Sequence, residues 1–348
     1  MSSRKQLRPT EPSKKVLPDR IRVSSGSAII LGLIDGFLNA KPTTAYLLTY
    51  RRHKCTANCG FCPQATASKS RADLLSRVTW PVFASEEVIS RLATAVRKGE
   101  MKRICVQALN YPAVLDEIGA LVREMKLQQV DAPISVSCQP MNTQTMQQLL
   151  DAKVDRLGIA LDAATKAIFD QVKGCFAPGP YDWDQQHHAL LNAVKVFGEG
   201  RVTTHLIVGL GETEREMVKT LQWCVDHSVN PGLFAFTPIP GTALESRPPP
   251  AIDHYRRIQL ARHLTVEGKT RLEEMTFDER GRIAEFGVSS STLEDAIRGG
   301  SPFMTSGCPH CNRPYYNEKP SGPLYNFPSP PAPQQIDEIR QQLGLGAR

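Results

Sequence analysis

Three cysteines stand close together in the segment HKCTANCGFCPQ, at Cys55, Cys59 and Cys62. Their C-x3-C-x2-C spacing gives an odd number of thiols, whereas structural zinc takes four protein ligands and disulfides join cysteines in pairs. Three thiolates can instead bind three irons of a [4Fe–4S] cluster and leave the fourth iron open to a small molecule that chelates it. The alternatives are a zinc site with a remote fourth ligand and simple burial of the cysteines.

A second group of thiols lies near the C-terminus, where Cys308 and Cys311 form a C-x2-C pair among proline, glycine and tyrosine residues. Such a pair is half of a four-thiolate site, and a zinc half-site and a redox pair are the alternatives. The chain has nine cysteines in all. We interpret Cys175, in a loop, and Cys224, on a predicted helix, as residues that bind no metal.

Strand-like and helix-like segments alternate regularly from residue 43 onward, which predicts an α/β fold with a parallel sheet. The apolar strands are typical of strands buried on both faces. Six βα units fit either a partial, open barrel or a doubly wound sheet, and in both the site lies at the carboxyl ends of the strands. We predict strands at 43–50, 103–109, 133–139, 154–163, 201–210 and 232–239, and helices at 85–99, 112–126, 142–152, 164–172, 182–197, 213–227 and 251–268.

The two ends of the chain differ in composition from its centre. We expect an arm and a helix at 1–42, the barrel at 43–300, and a turn-rich tail with the C-x2-C pair and a last short helix at 301–348. The apolar stretch at 27–40, expected to be that first helix, is too short to span a bilayer and contains Asp35. No signal peptide is recognisable, so we expect a cytoplasmic protein. The net charge of +7 suits an acidic partner, either nucleic acid or protein.

The cysteine loop, with Phe61 directly before its last cysteine, resembles the signature of the radical S-adenosylmethionine (SAM) superfamily. The resemblance implies a partial parallel βα barrel in which Cys55, Cys59 and Cys62 ligate a [4Fe–4S] cluster. SAM would cap the open iron through its amine and carboxylate. With one electron from an external reductant, SAM would be cleaved to a 5′-deoxyadenosyl radical that abstracts hydrogen from an unactivated C–H bond.

Further segments resemble parts of the SAM site in that superfamily. The segment HLIVGLGETE, with Gly209, Gly211 and Glu212, is similar to the strand-to-helix turn that packs near the adenine. FTPIPGTALE, which contains Ile239, is similar to the sixth-strand segment beside the adenine. Asp162 stands where the resemblance places an acid that binds the ribose hydroxyls. An ordinary turn is the alternative interpretation of each.

Across roughly residues 45–280 the chain resembles biotin synthase, which holds a second iron–sulfur cluster in its barrel as the sulfur source. Cys105 and Cys138 fall at two of the ligand positions of that cluster. Thr203 stands where the third cysteine would be, and no arginine matches the fourth ligand. Cys308 and Cys311 would complete a set of four thiolates for an auxiliary [4Fe–4S] cluster, if the tail folds back over the barrel.

The barrel together with this tail resembles the two-component lipoyl synthases, which insert sulfur at C6 and C8 of an octanoyl chain on a lipoyl-carrier protein. The resemblance implies two partners, an octanoylated acidic carrier and a paralogous radical SAM protein. The octanoyl chain would need an apolar tunnel, for which the candidates are Val136, Leu206, Phe236 and Ile239.

Three other functions remain open from the sequence. Another radical SAM enzyme of small molecules, biotin-synthase-like or a mutase, would share the first cluster. A nucleic-acid-modifying or nucleic-acid-binding protein would suit the positive charge, although that charge is dispersed. A non-catalytic iron–sulfur or zinc protein would bind metal without cleaving SAM.

Overall fold

The computed structural model describes residues 17–345, and its centre is a sheet of eight strands in the order β10-β9-β8-β7-β6-β2-β1-β5. Six of them run parallel, and β1 pairs antiparallel with both β2 and β5. The strands of this sheet are β1 (Arg20–Val23), β2 (Thr44–Thr49), β5 (Val82–Ala84), β6 (Arg103–Gln107), β7 (Ile134–Cys138), β8 (Arg156–Ile159), β9 (Val202–Val208) and β10 (Val229–Ala235). Two short hairpins stand apart from it, β3 (Leu74–Leu75) with β4 (Val78–Thr79) and β11 (Thr276–Phe277) with β12 (Ile283–Glu285).

Helices alternate with the parallel strands, and three further helices lie towards the two ends of the described chain. They are α1 (Ser25–Ile30), α2 (Ser85–Arg97), α3 (Val114–Leu127), α4 (Thr143–Asp151), α5 (Lys166–Val172), α6 (Trp183–Phe197), α7 (Glu214–Asp226), α8 (Ile252–Val266), α9 (Ser290–Gly299) and α10 (Pro333–Gln342). Local signals fix several of their ends. Asn142 caps α4 by accepting a hydrogen bond from the Thr145 amide at 2.8 Å, and Gly99, at φ +73°, follows the end of α2.

The strand order decides between the two architectures that the sequence left open. The parallel strands follow one another as they do along the chain, from β2 through β6 to β10, without the reversal that defines a doubly wound sheet. In the described chain the sheet does not close, since β10 and β5 are its edges. The predicted partial, open βα barrel with six parallel strands is therefore confirmed.

The N-terminal segment differs from the expected arm and long helix. β1 adds residues 20–23 to the central sheet, because Ile21 and Val23 alternate into the core. The helix predicted over 27–40 is only α1, which ends before Gly32 at φ +64°. Residues 1–16 of the expected arm and 346–348 of the expected tail lie outside the described residues. Within 17–345, no helix combines the length and apolarity that crossing a membrane would require.

The C-terminal tail folds back into the opening of the barrel. On one side, the Leu233 amide of β10 donates to Ser306 Oγ at 2.8 Å. On the other side, the hydroxyl of Thr44 in β2 donates to the His310 carbonyl at 2.8 Å, and the Arg313 amide donates to Tyr46 Oη at 2.9 Å. The tail therefore bridges the two parallel strands at the ends of the series and fills the space between them.

Candidate active site

The cysteine loop leaves the carboxyl end of β2 and is held by one lysine. Lys54 Nζ donates hydrogen bonds to the carbonyls of Pro63, Ser68 and Ser70 at 2.9, 2.7 and 2.8 Å. Gln64, which is 2% exposed, supports the same loop by donating to the carbonyls of Ala72 and Leu74. These bonds fix the backbone that follows the last cysteine, so the three thiols are presented by an ordered loop.

Cys55, Cys59 and Cys62 all line one cavity of about 220 Å³ at the carboxyl end of the barrel, and Phe61 lines it with them. The Cys55 sulfur accepts a hydrogen bond from the Asn110 amide at 3.0 Å. Burial raises the pKa of the Cys59 thiol and raises that of Cys62 to about 12. The Cys59 and Cys62 thiols would therefore be protonated at neutral pH unless a metal ion binds them.

Within 17–345, no three His, Cys, Asp or Glu side chains converge on a point where a single metal ion would sit. An iron–sulfur cluster does not need such convergence, because each cysteine binds a different iron. The donor set of the loop therefore fits a cluster with three protein ligands.

Asp162, the residue expected to bind ribose, lines the cavity and forms a buried ion pair. Lys173 Nζ lies 2.7 Å from Asp162 Oδ2 and 2.6 Å from the Ala160 carbonyl, and the two side chains are 5% and 11% exposed. The Asp162 backbone has φ +67°, and its amide and carbonyl bond to β9. Sequence analysis missed Lys173, because its position just after α5 carries no motif. The geometry places one carboxylate and one ammonium at the wall of the cavity.

Two glutamines add polar atoms at the same cavity. Gln139 and Gln186 line it, and the buried side-chain oxygen of each has no hydrogen-bond partner in the described chain. A buried oxygen without a partner is costly, so a ligand that donates hydrogen bonds would stabilise these groups. The amines of SAM are such donors, and the wall of the cavity fits that molecule in this respect.

Four residues expected near the adenine, Gly209, Gly211, Glu212 and Ile239, do not line this cavity. The Glu212 carboxylate turns back and accepts hydrogen bonds from the amides of Gly209 and Leu210 at 2.7 and 3.0 Å. Gly209 has φ +105°, and a Cβ there would lie 2.9 Å from a Pro250 side-chain atom. These residues shape the turn after β9, and their contact with SAM stays a prediction.

A second cavity, of about 90 Å³, is lined by Cys105 of β6 and by both tail cysteines, Cys308 and Cys311. Two arginines lie close to it. Arg103 donates to Ser135 Oγ at 2.8 Å and to the Pro309 carbonyl at 2.8 Å, and Arg313 lines the cavity. Burial raises the pKa of Cys105 and Cys308, while Arg103 acts in the opposite direction on both thiols and Arg313 does so on Cys105. The cationic groups would offset the negative charge of bound thiolates.

Cys138, expected beside Cys105, does not line the second cavity and is found at the wall of the first. Cys138 is the last residue of β7, three residues beyond Ser135. It is Ser135 that pairs with Cys105 in register and contacts Cys308. The structure thus brings together three of the four predicted auxiliary cysteines and leaves out Cys138.

The two cavities meet inside the barrel. Gln107, Ser137, His205, Phe234 and Tyr316 line both of them. The His205 ring lies against Phe234, with 4.9 Å between the ring centroids, and burial lowers the pKa of its imidazole to about 4. His205 is therefore neutral at physiological pH, and sequence analysis did not single it out.

The four residues predicted to line an apolar tunnel are not all placed there. Phe236 lines the first cavity and Val136 the second, whereas Leu206 and Ile239 line neither. Leu206 lies in the core, fully buried. The apolar walls nearest the junction are instead Phe234 and Phe236.

The comparisons with known proteins agree with this arrangement. The family model described as the Radical SAM superfamily matches residues 51–224, which is half of the chain and includes the cysteine loop. No curated protein matches the sequence.

Two solved structures are similar to this chain at low sequence identity. Methylornithine synthase is 14% identical with a TM-score of 0.52, over 70% of this chain and 68% of that one. The FeFe-hydrogenase maturase HydG from Carboxydothermus hydrogenoformans is 17% identical with a TM-score of 0.48, over 70% of this chain. The present chain spans 55% of the length of that maturase.

Proposed function

The chain belongs to the radical SAM superfamily, and on that premise we propose that it inserts sulfur into an unactivated C–H bond of a protein-bound octanoyl chain, as a component of a lipoyl synthase. When bound, the [4Fe–4S] cluster and SAM supply a 5′-deoxyadenosyl radical, given an electron from an external reductant. Cys55, Cys59 and Cys62 would hold the cluster. The chain's other residues at the cavity orient SAM and exclude water.

The observation that carries the proposal is the second set of thiols. Cys105, Cys308 and Cys311 line a cavity that shares a wall with the cavity of the three loop cysteines. A radical enzyme that only rearranges a small molecule has no need for further thiols beside its reaction chamber. An auxiliary iron–sulfur cluster held by these cysteines would be a source of sulfide.

The substrate carbon would have to lie at the junction of the two cavities. Cys55, Cys59 and Cys62 would hold the cluster at which SAM supplies the radical that takes one hydrogen atom from the octanoyl carbon. Cys105, Cys308 and Cys311 would hold the auxiliary cluster, which would supply the sulfide for the C–S bond and take up the remaining electron. Methylenes of an alkyl chain have almost the same reactivity, so positioning between the two cavities must select the carbon.

Apolar side chains at the junction suit an alkyl substrate. Phe234 lines both cavities and Phe236 lines the first, and Ile207 adds an aliphatic wall to the first cavity. The chain has a net charge of +7, which favours association with an acidic carrier protein. Because two sulfur atoms are needed per octanoyl chain, a paralogous radical SAM protein would act on the other carbon.

Mass spectrometry tests the proposal directly. The anaerobically reconstituted protein is incubated with SAM, a strong reductant and an octanoylated acidic carrier domain, with and without the paralogous radical SAM protein. We expect the carrier to gain sulfur, and its sulfur to be the heavy isotope when the clusters are built with isotopically heavy sulfide. Cleavage of SAM without any sulfur on the carrier would refute the sulfur-insertion proposal.

The alternative, a radical SAM enzyme that rearranges or sulfurates a free small molecule, is distinguished by the metal content. A mutase needs one cluster, which corresponds to about four irons per chain, whereas the proposed function needs about eight. A biotin-synthase-like activity would need the second cluster as well, and sulfur would then appear on a free substrate and not on the carrier.

A further inference from the structure

We propose that His205 is the fourth protein ligand of the auxiliary cluster, so that the set is Cys105, Cys308, Cys311 and His205. The assignment rests on the proposed function, because it requires that the second cavity holds a cluster. In this ligand set His205 takes the place predicted for Cys138, which lies outside the second cavity.

The three thiols at the second cavity leave one ligand position of a [4Fe–4S] cluster open. Cys105, Cys308 and Cys311 are the cysteines that line the second cavity in the described chain. A [4Fe–4S] cluster has four irons to be ligated, and imidazole takes the place of cysteine in some iron–sulfur proteins. Among the other residues at this cavity, His205 carries the side chain of that type.

The His205 imidazole is available for ligation. Within residues 17–345, its ring nitrogens make no hydrogen bond, and the ring packs on Phe234 with 4.9 Å between the ring centroids. A polar ring that faces a cavity without a partner is unusual in a packed interior. Ligation of iron by one nitrogen would satisfy it.

Two hydroxyl side chains at the cavity, Ser135 and Thr204, already have partners. The Ser135 hydroxyl accepts from Arg103 and donates to Cys308 Sγ at 3.4 Å. Thr204 accepts from the Leu161 amide and donates to the Ile159 carbonyl.

Arg313 is the strongest competitor. Its guanidinium lies 3.7 Å from the centroid of the Phe234 ring and donates to the Ser306 carbonyl at 2.8 Å. An arginine would have to lose a proton that it holds strongly before it could bind iron, whereas a neutral histidine is ready to bind. The cation is better suited to offset the charge of the thiolates.

The position of His205 adds a consequence for the reaction. His205 lines both cavities, whereas Cys105, Cys308 and Cys311 do not line the first. The histidine ligand is therefore the one at the junction where the substrate carbon must lie.

Pulsed paramagnetic resonance tests the assignment without any need for activity. The reconstituted holoenzyme is reduced without SAM, so that the amine of SAM contributes no signal, and is prepared with ordinary or 15N-labelled histidine. We expect a strong hyperfine coupling between the reduced cluster and one nitrogen. This coupling should change from that of 14N to that of 15N when the histidine is labelled. In His205→Cys the coupling should vanish while the iron content stays at about eight per chain. His188→Gln, outside both cavities, is the matched control and should keep the coupling.

The outcomes separate the two proposals. About eight irons with no histidine coupling overturns the assignment and leaves the proposed function intact. A nitrogen coupling that changes with 15N-labelled arginine and vanishes in Arg313→Met would identify Arg313 as the fourth ligand. This result too would overturn the assignment to His205. About four irons in the native chain overturns the auxiliary cluster, and with it both proposals.

Discussion

The Ser135 hydroxyl donates a hydrogen bond to the sulfur of Cys308, 3.4 Å away, and so connects β7 with the C-terminal tail. The same hydroxyl accepts from Arg103, whose Nε donates to the carbonyl of Pro309. A strand residue and a tail residue separated by 173 positions thus contribute to one small cavity. The tail therefore forms part of the wall of the second cavity.

We predict that the tail cysteines are needed for the second cluster and not for the first. Replacing Cys308 and Cys311 together by alanine removes two of the thiolates at the second cavity, so the iron content should fall from about eight to about four per chain. Cys138→Ala is the matched control, because Cys138 lies outside that cavity. Iron and acid-labile sulfide of the anaerobic proteins are measured. A loss of iron in Cys138→Ala equal to that in the double variant would contradict the ligand set.

We predict that each loop cysteine is required for SAM cleavage. Each of the variants Cys55→Ala, Cys59→Ala and Cys62→Ala removes a ligand of the first cluster. Even the loss of a residue that only supports a metal ligand lowers metal affinity or activity by about 10- to 100-fold. Formation of 5′-deoxyadenosine under strong reduction should therefore fall by at least about 100-fold. Cys175→Ala changes an exposed cysteine outside both cavities and should cleave SAM at the native rate. Native rates in a loop variant would exclude that cysteine as a ligand.

The sequence predicted the repeating elements well, because their signals are local. The strand β2 is a largely apolar segment that is buried along its whole length, and helix ends such as Asn142 and Gly99 have specific capping chemistry. The cysteine loop was recognisable for the same reason, since its spacing lies within eight residues.

The features that the sequence did not predict depend on contacts between distant segments. Whether Cys138 lies beside Cys105 depends on the register of β7 against β6, which pairs Cys105 with Ser135. Lys173 meets Asp162 only after α5 has folded back on the barrel. β1 was missed because four residues give little periodicity, and its pairing with β2 and β5 is what fixes it.

We predict that removing one member of the buried Asp162–Lys173 pair destabilises the apoprotein. Lys173→Met leaves the Asp162 carboxylate in the interior without its cation, which costs about 3–5 kcal/mol of unfolding free energy. The double variant Lys173→Met/Asp162→Asn should recover most of this loss, because no isolated charge remains and asparagine tolerates the left-handed backbone at φ +67°. Urea unfolding of the metal-free proteins gives the unfolding free energies of the native chain, the single variant and the double variant. Equal losses in the single and double variants would show that the charge pair is not the cause.

The last prediction concerns pH and His254, far from the cysteines. His254 Nδ1 lies 3.0 Å from Glu214 Oε1; burial lowers its pKa, but the stronger effect of Glu212 and Glu214 raises it to about 9. The folded protein therefore binds this proton more tightly than the unfolded chain, whose histidine has a pKa near 6.5.

The stabilisation should be complete below about pH 6.5, decline as the pH rises, and be lost above about pH 9. Because the ring is 23% exposed, we expect about 2 kcal/mol after screening by water. Urea unfolding between pH 6 and 10 should show this decline in the native chain and a flatter profile in His254→Gln. His263→Gln is the control, since burial lowers the pKa of His263 and its loss should leave the decline unchanged. A native profile that stays flat from pH 6.5 to 9 would mean that His254 is not protonated in the folded state.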